Sequence, residues 1–233
     1  MNNNFFRELF QSARRRYRRI FQEKISKKDI ATLKDINFVI ISNNCWGGKI
    51  YKWLKRPFNS PFIGLGVKGD CYLKILSNFD YYMGLPLKFT KISKYPDREI
   101  TYPLGILDDV EIHFTHYESK EEAHEKWNRR KNRMLENNNK NLYIFKICNS
   151  WDSNREHFKL FNELPYKNKI SFTIYDYKDL NLKNNFYVKE SDKSTKDNMV
   201  NGSRLFILTF IYLNIFKWIK NNTVNNENIT ENS

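Results

Sequence analysis

The chain has 233 residues, a mass of 28.2 kDa and a formal charge of +14. Hydrophobic residues make up 40% and aromatics 16%, so a core can form without disulfides or metals; 8 Gly and 6 Pro exclude collagen-like and Gly/Pro-rich low-complexity chains. The three cysteines, Cys45, Cys71 and Cys148, are too few and too scattered for a disulfide framework or a zinc cluster, and a reducing cytoplasm is the simplest setting.

Half of the charge lies in the first 28 residues, which hold nine Arg or Lys against two Glu. Phe5, Phe6, Leu9, Phe10, Ala13, Tyr17, Ile20, Phe21 and Ile25 recur there at steps of three and four, which predicts one apolar face of a helix with arginines on the other. Such a basic amphipathic helix suits an anionic membrane surface, contacted through residues 5–28; docking on the chain's own domain is the other use that fits. No nucleic-acid motif follows the basic stretch, so no nucleic-acid partner is expected. Arginines interrupt every apolar run, so it does not read as a secretory signal.

From residue 36 the texture changes. Ile36–Ser42 reads as a buried strand, followed by a loop and a helical pattern at Ile50, Trp53 and Leu54 that Pro57 and Pro61 stop. Asp70–Met83 is predicted helical, Leu85–Ile92 and Thr101–Leu107 extended, and Val110–His116 a strand. Ser119–Leu135 is a helix opened by the capping box Ser119-Lys120-Glu121-Glu122 and laced by Glu122–Lys126 and Glu125–Arg129 pairs. Asn141–Cys148 reads as a strand, Asn154–Leu164 as a helix ended by Pro165, and Lys169–Tyr175 as a strand. Leu205–Phe216 is apolar but too short to cross a bilayer, which predicts a buried helix. Alternating strands and helices give an α/β class: a largely parallel or mixed sheet flanked by helices in three layers, with the basic helix (1–28) before it, one domain over 29–220 and a disordered tail over 221–233.

Three segments carry residues capable of chemistry. The loop Asn43-Asn44-Cys45-Trp46-Gly47-Gly48 follows a strand and opens a helix, where α/β sheets bind ligands and where helix N–H groups favour anions. It is a candidate ligand site, with Cys45 a possible nucleophile by residue type or a small packed hydrophobe. In Asp109–His116, a strand would put Asp109, Glu111 and His113 on one face and His116 on the other. Asp109 and Glu111 could hold Mg²⁺ or Mn²⁺, and His113 or His116 could act as a base; a solvated strand edge is the bland alternative. The loop around Asp152 could complete the same cleft or only cap the next helix, and Trp46 and Trp151 would suit sugar faces if they are not core.

Phe38–Gly48, Pro57-Phe58-Asn59-Ser60-Pro61, Leu107–Tyr117, Trp127-Asn128-Arg129-Arg130 and Leu164–Lys169 together, in this order, resemble a bacterial domain family of unknown function. Its members are often labelled exopolysaccharide biosynthesis proteins and occur with capsule or cell-surface glycan genes. The resemblance implies an α/β domain in surface-glycan synthesis and carries no assigned catalytic set. The stretch after Asp152 departs from it, lacking a Gly-Cys-Thr-like run.

The expectation is a cytosolic transferase, peripheral at the inner membrane face. It would move a glycosyl or acyl group from an activated donor to a glycan or lipid-linked glycan acceptor. A non-catalytic glycan-binding or scaffold component and a cysteine-dependent hydrolase are the alternatives. All the chemistry requires residues 43–48 and 109–116 to face one cavity.

Overall fold

A computed structural model of the chain describes residues 9–10, 13, 16–17, 20–95, 99–136, 139–189 and 201–224. In chain order the described elements are α1 (Gln22–Leu33), β1 (Val39–Ser42), α2 (Trp46–Trp53), α3 (Gly69–Ser77), α4 (Phe79–Gly84), β2 (Lys88–Thr90), β3 (Leu104–Leu107), β4 (Val110–His113), α5 (Lys120–Glu136), β5 (Tyr143–Cys148), α6 (Arg155–Glu163), β6 (Lys169–Thr173), β7 (Asn185–Tyr187), α7 (Gly202–Tyr212) and α8 (Ile215–Val224).

Strand alternation sets the layers. Val39, Ile41, Tyr143, Phe145 and Ile147 face one way; Phe38, Ile40, Ile144, Cys148, Ile170 and Phe172 face the other. The strands pair in the order β1-β5-β6-β7, each pair parallel, with Val39 opposite Tyr143 and Ser42 opposite Lys146. One face is covered by α3, α4, α5, α6 and a second, antiparallel sheet of order β2-β3-β4; the other by α1, α2, α7 and α8. The expected three-layer α/β class is what the described residues form.

Boundaries differ for local reasons. The single helix expected over Asp70–Met83 is two, broken at Asn78, whose backbone leaves the helical region (φ −134°, ψ 56°). The expected buried helix over Leu205–Phe216 breaks at Leu213, and the Asn214 side chain accepts the N–H of Lys217 to start α8. Helix α8 runs to Val224, into the stretch expected as tail; residues 225–233 lie outside the described residues. No single described helix is long and apolar enough to cross a membrane, although the bent pair α7 and α8 passes together by length and composition. Half of the basic helix expected over residues 1–28 lies outside the described residues; its end continues as α1.

Helix α5 begins as its sequence directs. Ser119 Oγ accepts the Glu122 N–H at 3.1 Å, and the Glu122 carboxylate accepts the N–H of Glu118, one residue earlier than a capping box requires. The pairs Glu122–Lys126 and Glu125–Arg129 both form.

Candidate functional site

The parallel pairing of β1 and β5 brings two loops to one sheet edge. Asn43 Nδ2 donates to the carbonyls of Cys148 (3.0 Å) and Ser150 (3.2 Å), which ties the first loop to the third. Opposite Ser42 sits Lys146, a lysine with no exposed surface. Its Nζ donates to Asn43 Oδ1 (3.2 Å), Asn44 Oδ1 (2.8 Å) and Cys148 Sγ (2.8 Å). Burial lowers its pKa, against the pull of Cys148. Asn44 Oδ1 also accepts the N–H of Trp46 at 3.2 Å, so the same oxygen starts α2. Asn43 and Asn44 therefore point inward and hold the loop; they do not line the pocket described below, although both were expected as ligand-binding residues. Trp46 is also core: it has no exposed surface, and its Nε1 donates to Thr209 Oγ1 at 3.0 Å. Gly47 packs the helix on the sheet, since a Cβ there would meet Ile40 Cγ2 at 2.8 Å.

Cys45 faces outward from this loop. His116 Nε2 lies 3.1 Å from its Sγ. The turn after β4 places that histidine, with its N–H donating to the Gly64 carbonyl at 3.2 Å. The two residues line a pocket of about 380 Å³ together with Gly48, Lys49, Lys52, Lys126 and Arg130. Gly64, Tyr117 and Ser203 also line it, over the apolar side chains of Phe58 and Ile63. The first helix N-terminus there is that of α2; its opening N–H groups have no acceptor within the helix. The second is that of α7. Gly202 lies so close to the loop that a Cβ would meet Trp46 N at 2.5 Å and Cys45 C at 2.8 Å. Arg130 is buried, donating through Nη1 to the Ile63 carbonyl and the Tyr117 hydroxyl, with its cation 4.9 Å from the Phe58 ring. Lys126 pairs with Glu122.

Burial raises the pKa of Cys45, with Lys146 and Lys49 opposing it. At neutral pH the residue is thus a thiol at rest beside an imidazole, and chemistry at sulfur needs that imidazole to take the proton. Tyr117 is likewise raised by burial and opposed by Arg130.

The other expected site residues lie elsewhere. Asp109 is in the turn between β3 and β4, its oxygens taken by Lys74 and Tyr82 (2.8 Å). Glu111 is buried; one oxygen accepts from Ser93 Oγ (2.8 Å) and the other from the Lys94 N–H (2.6 Å). These carboxylates are engaged separately, and no group of three or more His, Cys, Asp or Glu among the described residues is placed to hold a metal. The pair does not fit Mg²⁺ or Mn²⁺. His113 has no exposed surface; the Tyr102 hydroxyl lies 3.2 Å from its Nδ1, Glu111 3.6 Å from its Nε2, and the Trp151 ring packs tilted against it with centroids 5.0 Å apart. Asp152 pairs with Lys68, and neither Asp152 nor Ser153 caps α6: Asn154 does, accepting from Glu156 N and His157 N. Trp151 covers Gly66, where a Cβ would meet the indole at 1.8 Å.

So the structure joins residues 43–48 and 109–116 through Cys45, Gly48 and His116 only. Lys146, Lys49, Lys52 and Arg130 were not foreseen. Two left a signal: Lys146 interrupts an apolar strand on an inward position, and Arg130 continues the buried series Ala123, Trp127, Met134 at helical spacing.

Residues 16–220 match the model of a domain family described as a domain of unknown function (DUF1919). A protein of Haemophilus influenzae described as an uncharacterized protein is 34% identical over 193 residues, covering 83% of this chain and 86% of its own. The chain belongs to that domain family.

Proposed function

Taking the chain as a member of that family, we propose that it is an acyl-transfer enzyme whose nucleophile is Cys45 and whose base is His116. The observation that carries this reading is the 3.1 Å approach of His116 Nε2 to Cys45 Sγ inside a pocket open to small molecules. His116 takes the thiol proton as sulfur attacks the donor's carbonyl carbon. The tetrahedral oxygen is stabilised by the first-turn N–H groups of α2 that follow Trp46, whose own N–H is held by Asn44. The bond from carbon to the donor's leaving sulfur or oxygen breaks, and His116 returns the proton to it. An acceptor hydroxyl then gives its proton to His116 and attacks the thioester, which frees Cys45 as thiolate to be reprotonated. With water as acceptor the same cycle is hydrolysis.

An acyl group is favoured over a glycosyl group because this chemistry needs no metal-bound diphosphate, and the Asp109 and Glu111 carboxylates are engaged by neighbours. The surface-glycan setting, with a glycan or lipid-linked glycan as acceptor, rests on the likeness of the sequence segments. An inner-membrane location rests on the N-terminal stretch, whose described apolar residues Leu9, Phe10, Tyr17, Ile20 and Phe21 are all exposed beside a run of arginines.

The test is cleavage of an acetyl thioester by purified protein, with and without glycan hydroxyl acceptors. Cys45→Ser is expected to abolish thiol release at unchanged thermal stability. Acetylated acceptor identifies a transferase and free acetate a hydrolase. Undiminished release by Cys45→Ser refutes the nucleophile and returns the chain to a glycan-binding or scaffold role.

A further inference from the structure

We infer that the acyl donor is carried on a phosphate-bearing group, and that Lys49 and Lys52, with the N-terminus of α2, hold its phosphates beside Cys45. This names the donor class for the site proposed above and rests on that reading of Cys45.

The charge around the pocket is one-sided. Lys49, Lys52, Lys126 and Arg130 line it, and no carboxylate does. Glu122 reaches Lys126 from outside the lining. Among the described residues no carboxylate pairs with Lys49 or Lys52. Two lysines left without counter-charge beside the thiol favour an anion there. The N-terminus of α2, where Cys45 stands without a side-chain cap, adds to the field; that of α7 is closed by Asn201, whose side chain accepts the Ser203 and Arg204 N–H groups. Gly202 is what allows α7 to end against the Cys45 backbone, so its N-terminus is built into the wall. Lys49 and Lys52, with no carboxylate partner among the described residues, face a pocket of about 380 Å³ to which Lys126 and Arg130 add positive charge, and together they match a ligand with several phosphate oxygens. Such a ligand would leave its acyl end at the sulfur.

Two thioesters separate the donor class from the nucleophile. Acetyl-coenzyme A carries phosphates; S-acetyl-N-acetylcysteamine presents the same thioester without them. Wild-type Cys45 is expected to be acetylated faster by the charged donor, by on the order of 100-fold, the scale of a few charge-assisted hydrogen bonds. In Lys49→Ala/Lys52→Ala that preference is expected to collapse by at least about tenfold, whatever happens to each rate. Separately, inorganic pyrophosphate, or vesicles containing phosphatidic acid if the carrier is a lipid, is expected to protect Cys45 from the neutral reagent iodoacetamide, and the double variant to lose that protection. Equal wild-type rates with both thioesters, or no protection by either anion, overturns the phosphate assignment and leaves Cys45 as nucleophile intact. Protection without acetylation by either thioester does the reverse.

Discussion

Cys45 and His116 are 71 positions apart and meet because a strand end and a post-hairpin turn reach the same rim. Their electrostatics decide between two kinds of cysteine chemistry. A preformed thiolate–imidazolium pair needs a depressed thiol pKa. Here burial outweighs Lys146 and Lys49 and moves Cys45 upward, so the proton stays on sulfur until His116 removes it in the reaction. Alkylation of Cys45 by iodoacetamide, followed by peptide mass spectrometry, is therefore expected to rise with pH through a midpoint above the ordinary cysteine range. A midpoint well below that range would mean a resting thiolate and a different role for His116. Residue types alone offered Cys45 as a nucleophile and His113 or His116 as a base, and coordinates were needed to show which histidine reaches the sulfur, because a two-residue alternation says which face a side chain takes and not what covers that face. His113 is sealed under Trp151; His116 is not.

The elements show which physical signals the sequence carries. Helix α5 was legible because its cap, ion pairs and apolar spacing all agree. The strands β1, β5 and β6 were legible as apolar runs; β7 was not, since Asn185-Phe186-Tyr187 has neither length nor alternation. Asn43 and Asn44 looked like ligand groups because they stand at a strand's carboxyl end. Their actual use, holding the ammonium of Lys146, depends on the β1–β5 register, which no local pattern encodes. Gly202 lies outside the loops singled out from the sequence, yet it sets how close α7 comes to the nucleophile. Gly202→Ala places a methyl against the backbone of Cys45 and Trp46, and α7 must lift. The expected cost is about 1–3 kcal/mol in a denaturant melt, the range for overpacking a tight contact. Thioester cleavage is expected to fall with it. A variant of wild-type stability and rate would show that the α7 approach is looser than described.

At the scale of the molecule, the sheet divides labour. The face under α3 to α6 and the antiparallel sheet is tightly packed aromatic core. The other face carries α2, which brings Lys49 and Lys52 to the pocket, with α7, α8 and α1, the helix that the N-terminal stretch precedes; Lys126 and Arg130 reach the pocket from α5. Helix α1 belongs to this packing: Leu33 has no exposed surface and Trp53 Nε1 donates to Asp29 Oδ2 at 2.9 Å. A deletion meant to test membrane attachment must therefore stop before it. Removing residues 1–20 is expected to leave the melting temperature within a few degrees and to release the protein from anionic vesicles at moderate salt, because about 1 kcal/mol is lost for each basic group removed from the surface. Vesicle binding that survives the deletion would overturn attachment through the N-terminal stretch and move it to the α7–α8 pair.

The most direct test weighs the protein itself. Incubated with an acetyl thioester and quenched in acid, the wild-type chain is predicted to gain one acetyl group, mapped to the peptide holding Cys45. Cys45→Ser should gain none, and His116→Ala should gain it far more slowly at neutral pH. Acetyl found on Cys71, on Cys148 or on no cysteine, with Cys45 left free, would contradict the account.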